Sequence, residues 1–169
     1  ANFRGPSCQR QNTKGVCRTR DCLYPVPCKQ MQPEHGEYME ILRAVRELPK
    51  VKKVFVRSGI RYDYILADPE GGGFLEELCR HHVSGTLKVA PEHISPRVLG
   101  AMRKPAGEVF LRFSREFQRV NRKLGKKQYL IPYWISSHPG STLEDAVDLA
   151  LFLKKTGFVP DQVQDFYPT

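Results

Sequence analysis

Apolar and polar positions after residue 33 follow the helical period and the strand period in turn. Helical spacing predicts helices over about Glu34–Leu48, Val109–Leu124 and the stretch between the capping box Ser141–Glu144 and Gly157. A helix over about Phe74–His82 is expected after the flexible Gly71–Gly73, and Ser95 as N-cap with Pro96 at the first helical position predicts another to about Met102. Short apolar runs between them predict four strands, Val51–Val56, Leu87–Ala90, Gln128–Ile135 and Gln162–Phe166. Strands that alternate with helices indicate an α/β fold of parallel βα units with right-handed crossovers.

Polar residues stand where three of these strands end. Glu92 and His93 follow one strand, the run Ser136–Gly140 follows the next, and Gln164 and Asp165 lie in the last. The carboxyl ends of parallel strands share one edge of a sheet, and open α/β sheets and barrels bind ligands at that edge. The sequence therefore predicts a ligand site there.

Several chemical roles fit these strand ends. Glu92 and His93 can form an acid/base pair, hold a ribose or ligate a metal; alternatively, Glu92 assists the N-terminus of the next helix and His93 packs against its loop. The run Ser136–Gly140 precedes a helix N-terminus, where free N–H groups favour an anion or a carboxylate. It is not a Gly-x-Ser-x-Gly nucleophile elbow, and no spacing identifies an orienting acid, so a hydrolase is disfavoured.

Residues 1–33 form a Cys-rich, irregular segment that differs from the remainder, residues 34–169. Five cysteines in a chain of ordinary apolar content do not indicate a disulfide framework, so reduced thiols or metal ligands are expected. The segment offers enough thiolates for a tetrahedral metal or an iron–sulfur cluster, at Cys8, Cys17, Cys22 and Cys28. Alternatively, Cys22 and Cys28 are small buried residues of a proline-rich loop. Cys79, on a predicted helix, is expected in the core.

The composition, 40% apolar and 27% charged over 169 residues, is that of one globular domain. No apolar run reaches the roughly 18 to 20 residues of a membrane span, so a cytoplasmic location without a membrane partner is expected. The net charge of +9 suits a polyanion such as RNA. The basic residues form two groups, Arg43, Arg46, Lys50, Lys52 and Lys53, and Arg112, Arg115, Arg119, Arg122, Lys123, Lys126 and Lys127. The second group mostly follows helical spacing, which is typical of a solvated helix face.

Long strings along the chain resemble one known family. The strings are Arg18–Pro25, Val54–Asp63, Leu87–His93, Pro132–Gly140 and Gln162–Pro168. Through them the chain resembles the YgiQ-type proteins of the radical S-adenosylmethionine (SAM) superfamily. The resemblance implies a partial (β/α) barrel of the radical SAM type for residues 34–169. The four predicted parallel strands, with their covering helices, would be the third to sixth strands of a barrel truncated at both ends.

The resemblance also implies the chemistry. Enzymes of this superfamily accept an electron from a donor such as flavodoxin or ferredoxin on a [4Fe–4S] cluster. They then cleave SAM to a 5′-deoxyadenosyl radical that acts on a substrate, here unknown, with RNA and protein as candidates. The cluster ligands, Cys-x3-Cys-x2-Cys, have no counterpart in these 169 residues. The chain is therefore expected to be a fragment of such an enzyme and inactive on its own.

The resemblance assigns SAM contacts to the strand ends. Glu92 and His93 would reach the ribose, and Ser136, Ser137 and His138 would lie beside the adenosine. Gln164 and Asp165 would complete the same edge, while Ser58 and Arg61 would contact the SAM carboxylate or the substrate. The chain departs from the related pattern at Ser137, where Gly is usual, and at Ser141, where Glu is usual. The four cysteines before residue 33 would lie in an insertion that could hold an auxiliary cluster or a structural zinc.

A second hypothesis rests on the charge. It makes the chain a basic RNA- or protein-binding module whose cysteines hold a structural metal. A third hypothesis is a catalytically silent remnant of the barrel, which the absent cluster loop would explain. A brown iron–sulfur chromophore after anaerobic reconstitution favours an auxiliary cluster, whereas one equivalent of zinc with salt-dependent RNA retention favours the binding module.

Overall fold

A three-stranded parallel sheet with surrounding helices forms the centre of the structure, a computed structural model that describes residues 8–160 and 163–167. The strands, in sheet order, are β1 (Thr86–Glu92), β2 (Tyr129–Ser136) and β3 (Val163–Asp165). The α-helices are α1 (Gln9–Lys14), α2 (Gly36–Glu47), α3 (Tyr62–Ala67), α4 (Gly71–Glu77), α5 (Pro96–Ala101), α6 (Gly107–Leu124) and α7 (Leu143–Thr156). A π-helical turn, Leu78–His82, continues α4. Among the described helices, none is long and apolar enough to cross a bilayer.

The pairing of β1 with β2 sets the geometry of the sheet. Leu87 lies opposite Leu130 and Val89 opposite Pro132, and alternate residues of both strands are buried. This alternation follows from the two-residue period of a strand, which turns one face of the sheet towards the core. The register shifts between Val89 and Glu92, where Glu92 adopts a positive φ of 65°. The pleat is therefore interrupted at the point where β1 leaves the sheet.

The predicted strand Val51–Val56 does not form, so the described sheet has three strands rather than four. Its backbone bonds to the π-helical turn instead of to a neighbouring strand, with the Val56 amide donating to the His82 carbonyl at 2.9 Å. The chain meets the sheet just after this segment, in an isolated parallel bridge between Ile60 and Val89. The apolar run was misleading because tertiary contacts, not β propensity, decide how a short segment is paired. The observed class is mixed α/β.

Helix α6 supplies the largest block of the core. Phe110, Phe113, Phe117 and Val120 recur on one face and are at most 2% exposed. The Phe110 ring meets the fully buried Trp134 of β2 edge-on, with centroids 5.8 Å apart. The helix ends at Gly125, whose left-handed φ of 62° suits glycine. Together α5 and α6 form the crossover from β1 to β2.

Helix α7 begins one residue later than the capping pattern predicts. Thr142, not Ser141, is the N-cap, and Asp145 rather than Glu144 reaches back to the Thr142 amide at 2.7 Å. Leu149 is the buried apolar residue of this helix, whereas Val147 and Leu151 are exposed.

The segment before α2 is tied to the body of the protein through α3. A small cluster of Leu23, Met31 and Tyr64 packs beneath it, and His35 forms a buried 2.6 Å contact with Asp68. The turn between α3 and α4 requires Gly71, because any Cβ there would overlap the Ile65 carbonyl oxygen. Helices α1 and α3 were not predicted. Residues 1–7 and Gln162, part of the predicted last strand, lie outside the described residues.

We expect Phe110→Ala to lower the free energy of unfolding by about 3–5 kcal/mol, because the substitution leaves a cavity between α6 and β2. Leu143→Ala is the matched control: its side chain is 81% exposed, so a change within about 0.5 kcal/mol is expected. Urea denaturation of both variants measures the difference. Equal losses would contradict the packing described for α6.

Candidate functional site

The three strands present polar residues at their shared carboxyl edge. Ser136 of β2 lies opposite Asp165 of β3, and its hydroxyl donates to the Asp165 carboxylate at 2.6 Å. The same hydroxyl lies 3.4 Å from the carbonyl of Gln164, and the Phe166 amide donates to the Ser136 carbonyl at 2.9 Å. These bonds fasten the end of β3 to the end of β2. The predicted gathering of polar groups at this edge is present.

Glu92 ends β1 in an ion pair. The Lys104 ammonium lies 2.8 Å from the Glu92 carboxylate and also donates to the Ala90 carbonyl at 3.0 Å. Both side chains are partly exposed, so water or a ligand reaches the pair. Lys104 follows α5 and was not predicted as a site residue. The only signal for it in the sequence is its place in the charged pair Arg103-Lys104 after that helix.

His93 serves the loop rather than the solvent-facing edge. It is 3% exposed, and its Nδ1 accepts the Ser95 amide at 3.0 Å. Burial lowers the pKa of His93, which agrees with the neutral ring that such acceptance requires. Of the roles considered for His93, packing against the loop is the one that these contacts support.

A carboxylate network joins the loop after β1 to the N-terminus of α7. The Ser95 hydroxyl donates to Asp145 at 2.6 Å, and the Thr142 amide donates to its other oxygen at 2.7 Å. Arg97 pairs with the same carboxylate. The Ser95 hydrogen bond, followed by the Thr142 amide, holds the pKa of Asp145 well below its usual range. Sequence reasoning missed this network because its partners lie about 50 residues apart.

The turn after β2 lies against the end of β3. Ser137 has a positive φ of 57°, and His138 Nδ1 lies 2.8 Å from the Pro139 carbonyl. The His138 ring meets Phe166 edge-on at 4.7 Å between centroids. Ser137 and His138 therefore stand beside Ser136 and Asp165, as the sequence predicts.

A cavity of about 350 Å³ opens beside β1, beneath the Cys-rich segment. Arg61, one of the predicted site residues, lines the cavity, and its guanidinium donates two hydrogen bonds to the Asp63 carboxylate, at 2.9 and 2.7 Å. Arg103 also lines it and pairs with Asp21 at 2.9 Å. Lys104 lines the cavity as well, so its pair with Glu92 connects the cavity to the strand ends.

Sequence reasoning missed most of this cavity because its walls come from four separated stretches: Asp21–Tyr24, Ile60–Asp63, Ala90 and Met102–Pro105. Ser58, which was grouped with Arg61, is exposed and lies outside the lining.

Each of the four N-terminal cysteines has its own hydrogen bond or packing contact, and the other three all lie close enough to Cys22 to act on its charge. The Cys8 sulfur accepts the Gln11 amide at 3.2 Å and caps α1, while the Cys17 sulfur accepts Arg10 Nε at 3.2 Å. Cys22 and Cys28 pack against the small apolar cluster, and burial, followed by the neighbouring Cys28, raises the pKa of the Cys22 thiol. Within residues 8–160 and 163–167, no three metal-binding side chains converge in a way that could hold an ion. The metal site stays a prediction.

These features define a mixed α/β protein with an open parallel sheet and a polar, ligand-accessible carboxyl edge. The chain is 56% identical over all 169 residues to a UPF0313 protein of Clostridium perfringens (strain ATCC 13124), and 50% identical to one of Clostridium botulinum (strain Okra). It spans about a quarter of the length of these curated relatives, 25% and 26% respectively. No family model and no solved structure matches the chain.

These relatives agree with the resemblance read from the sequence, because UPF0313 is the YgiQ-type family. These relatives are named only as UPF0313 proteins, a name that states no activity, cofactor or partner. The sequence identity therefore shows that the chain is related to UPF0313 proteins and says nothing of the chemistry.

We expect Asp145→Asn to lower the melting temperature at pH 7 by a few degrees. The depressed pKa of Asp145 means that its charge stabilises the folded state above about pH 4, the usual value of the unfolded carboxyl, and that this contribution is lost as the pH falls further. The difference from the wild type should therefore shrink in acid. Asp148→Asn, an exposed change on the same helix, is the control, and an equal effect there would contradict the network.

We expect Cys79 to resist alkylation in the folded protein, because it is fully buried and burial raises the pKa of its thiol to about 12. The half-buried Cys8, Cys17, Cys22 and Cys28 should react with iodoacetamide. Peptide mass spectrometry measures the labelling. Protection of these four thiols as a set after zinc loading or anaerobic iron–sulfur reconstitution would support the predicted metal site, and unchanged labelling would contradict it.

Proposed function

We propose that the protein to which this chain belongs binds SAM across the carboxyl edge of β1, β2 and β3 and cleaves it as a radical SAM enzyme. The observation that carries the proposal is the collection of polar strand ends at Glu92, Ser136 and Asp165 on one edge of the sheet. The neighbouring cavity is lined by both acidic and basic side chains, which suits the charged amino-acid half of SAM. Open α/β sheets place ligands at that position. The resemblance to YgiQ-type proteins supplies the identity of the ligand.

The strand ends suit the nucleoside half of SAM. The Glu92 carboxylate can accept hydrogen bonds from the two ribose hydroxyls, while Lys104 holds it at the edge. Ser136, Ser137, His138, Gln164 and Asp165 provide the polar surface beside it on β2 and β3. His93 contributes indirectly, because its bond to the Ser95 amide shapes the loop after Glu92.

The cavity beside β1 suits the amino-acid half of SAM, which carries one carboxylate and one ammonium group. Arg61 and Arg103 offer guanidinium groups, and their partners Asp63 and Asp21 offer carboxylates, so both charges of a zwitterion find a counterpart. Ser58 is exposed on the loop before Ile60 and lies outside this cavity, so in this proposal it would contact the substrate rather than the SAM carboxylate.

The iron–sulfur chemistry belongs to residues outside this chain. A [4Fe–4S] cluster would supply the electron for SAM cleavage, and its Cys-x3-Cys-x2-Cys ligands do not occur among the 169 residues. The described cysteines do not form a ligand set either. The residues described here would therefore bind and orient SAM, and a donor such as flavodoxin or ferredoxin would act on the remainder of the protein.

We expect Glu92→Gln to weaken SAM binding by about tenfold, the effect of losing one charge-assisted hydrogen bond. Titration calorimetry on the full-length protein measures the affinity for SAM and for S-adenosylhomocysteine. Glu116→Gln is the matched control, because Glu116 pairs only locally with Arg119 on the outer face of α6 among the described contacts. SAM binding that is absent, or unaffected by Glu92→Gln, would overturn the proposed site.

A further inference from the structure

The amino edge of the sheet, opposite the proposed SAM site, carries a groove of about 430 Å³. It lies where the chain enters β1 and β2, at Gly85 and Gln128. Basic residues dominate its walls: Arg46, Lys52, Lys53, Arg80, Lys126 and Lys127. We call it the basic groove. The fold thus brings together members of the two basic groups, such as Lys53 and Lys126, that lie more than 70 residues apart in the sequence.

Buried hydrogen bonds fix the walls of the basic groove relative to one another. His82 Nδ1 lies 2.9 Å from the Val54 carbonyl and its own carbonyl accepts the Val56 amide, which holds the segment that carries Lys52 and Lys53. The Gln128 side chain donates to the carbonyls of Cys79 and Val83 at 2.8 and 3.0 Å. The lysine-bearing segments are therefore attached to a rigid frame.

The charge of the groove is only partly neutralised. Arg46 shares the Glu77 carboxylate with Arg43, and Arg80 shares the Glu76 carboxylate with Lys123, so each arginine charge is only partly balanced. Within the described residues, no carboxylate lines the groove, and the four lysines form no ion pair. All four are exposed: Lys52, Lys53, Lys126 and Lys127. Four uncompensated ammonium groups around one concavity create a strong positive potential, which attracts phosphates.

The basic groove also contains planar side chains. Phe55 lines it with 41% of its surface exposed, although an apolar ring of this size usually lies in the core. His81 lines it too, and burial, followed by the nearby Arg46, lowers the pKa of its ring, so the imidazole is uncharged at neutral pH. An exposed aromatic ring between lysines is the arrangement that binds a phosphate backbone and stacks a base.

We propose that the basic groove binds single-stranded nucleic acid, with phosphates at the four lysines and a base stacked on Phe55. Its concave shape suits a strand better than a flat lipid surface, and the exposed ring distinguishes it from a site for phosphate alone. The inference is independent of the proposed SAM site, because the two lie at opposite edges of the sheet.

The test uses the full-length protein and fluorescein-labelled oligouridylate and oligothymidylate of about 12 nucleotides, a usual size for single-strand sites. Fluorescence anisotropy across a salt series gives the affinity and its salt dependence. Lys52→Ala/Lys126→Ala should weaken binding and reduce the slope of log affinity against log salt by about 1.4, the equivalent of two phosphate contacts. The double variant Lys154→Ala/Lys155→Ala, with the same change in charge at the exposed end of α7, should bind like the wild type.

A third variant tests the stacking. Phe55→Ala should weaken binding by about tenfold while leaving the salt slope unchanged, because it removes a ring and no charge. Circular dichroism confirms that each variant is folded, and SAM titration should be unaffected by the groove variants. The stronger-binding oligonucleotide identifies the source as RNA or DNA.

Three outcomes would overturn the inference. One is an absence of oligonucleotide binding at low salt. Another is an equal loss in the two lysine pairs, which would show that net charge alone is responsible. The third is binding to phosphatidylserine vesicles, abolished by Lys52→Ala/Lys126→Ala, without any binding of oligonucleotide, which would assign the groove to a membrane surface.

Discussion

The parallel pairing of β1 with β2 is the constraint on which the remaining geometry depends. Because the two strands run the same way, the chain must cross the sheet between them, and α5 and α6 provide that crossover. The crossover places Phe110 against Trp134 and closes the core. It also brings all carboxyl ends to one edge and the chain entries to the other. The candidate SAM site and the basic groove are the two results of this one arrangement.

The carboxyl edge is stabilised by polar contacts rather than by apolar packing. Asp145 ties the loop after β1 to α7, and Ser136 ties β2 to Asp165. Lys104 connects Glu92 to the cavity beside β1. The links at Ser136 and Lys104 lie near the surface, whereas Ser95 and Asp145 are buried. The edge is thus ordered and still open to a ligand, which is what a binding site at strand ends requires.

The sequence predicts the elements whose pattern is local. Helices α2 and α6 and strands β1 and β2 were found because one buried face imposes a period on each, and α5 was found because Ser95 and Pro96 mark its start. Helix α3 was missed because Tyr62–Ile65 are all buried, so no polar face marks the period. The prediction of a strand at Val51–Val56 was wrong, because pairing with a sheet depends on a partner that is distant in sequence, and this segment bonds to His82 instead. For the same reason, the cavity beside β1 and the merging of the two basic groups could not be predicted.

Gly71 shows how narrowly the fold limits variation at one position. A side chain there would occupy the space of the Ile65 carbonyl, so even alanine would require α3 or the start of α4 to move. Helix α3 carries Asp63, the partner of Arg61, and Asp68, the partner of His35, directly follows its last residue. A mutation at this turn would therefore propagate to the cavity and to the attachment of the Cys-rich segment together. A substitution accepted at residue 71 during evolution would therefore alter the cavity and the attachment of the Cys-rich segment at the same time.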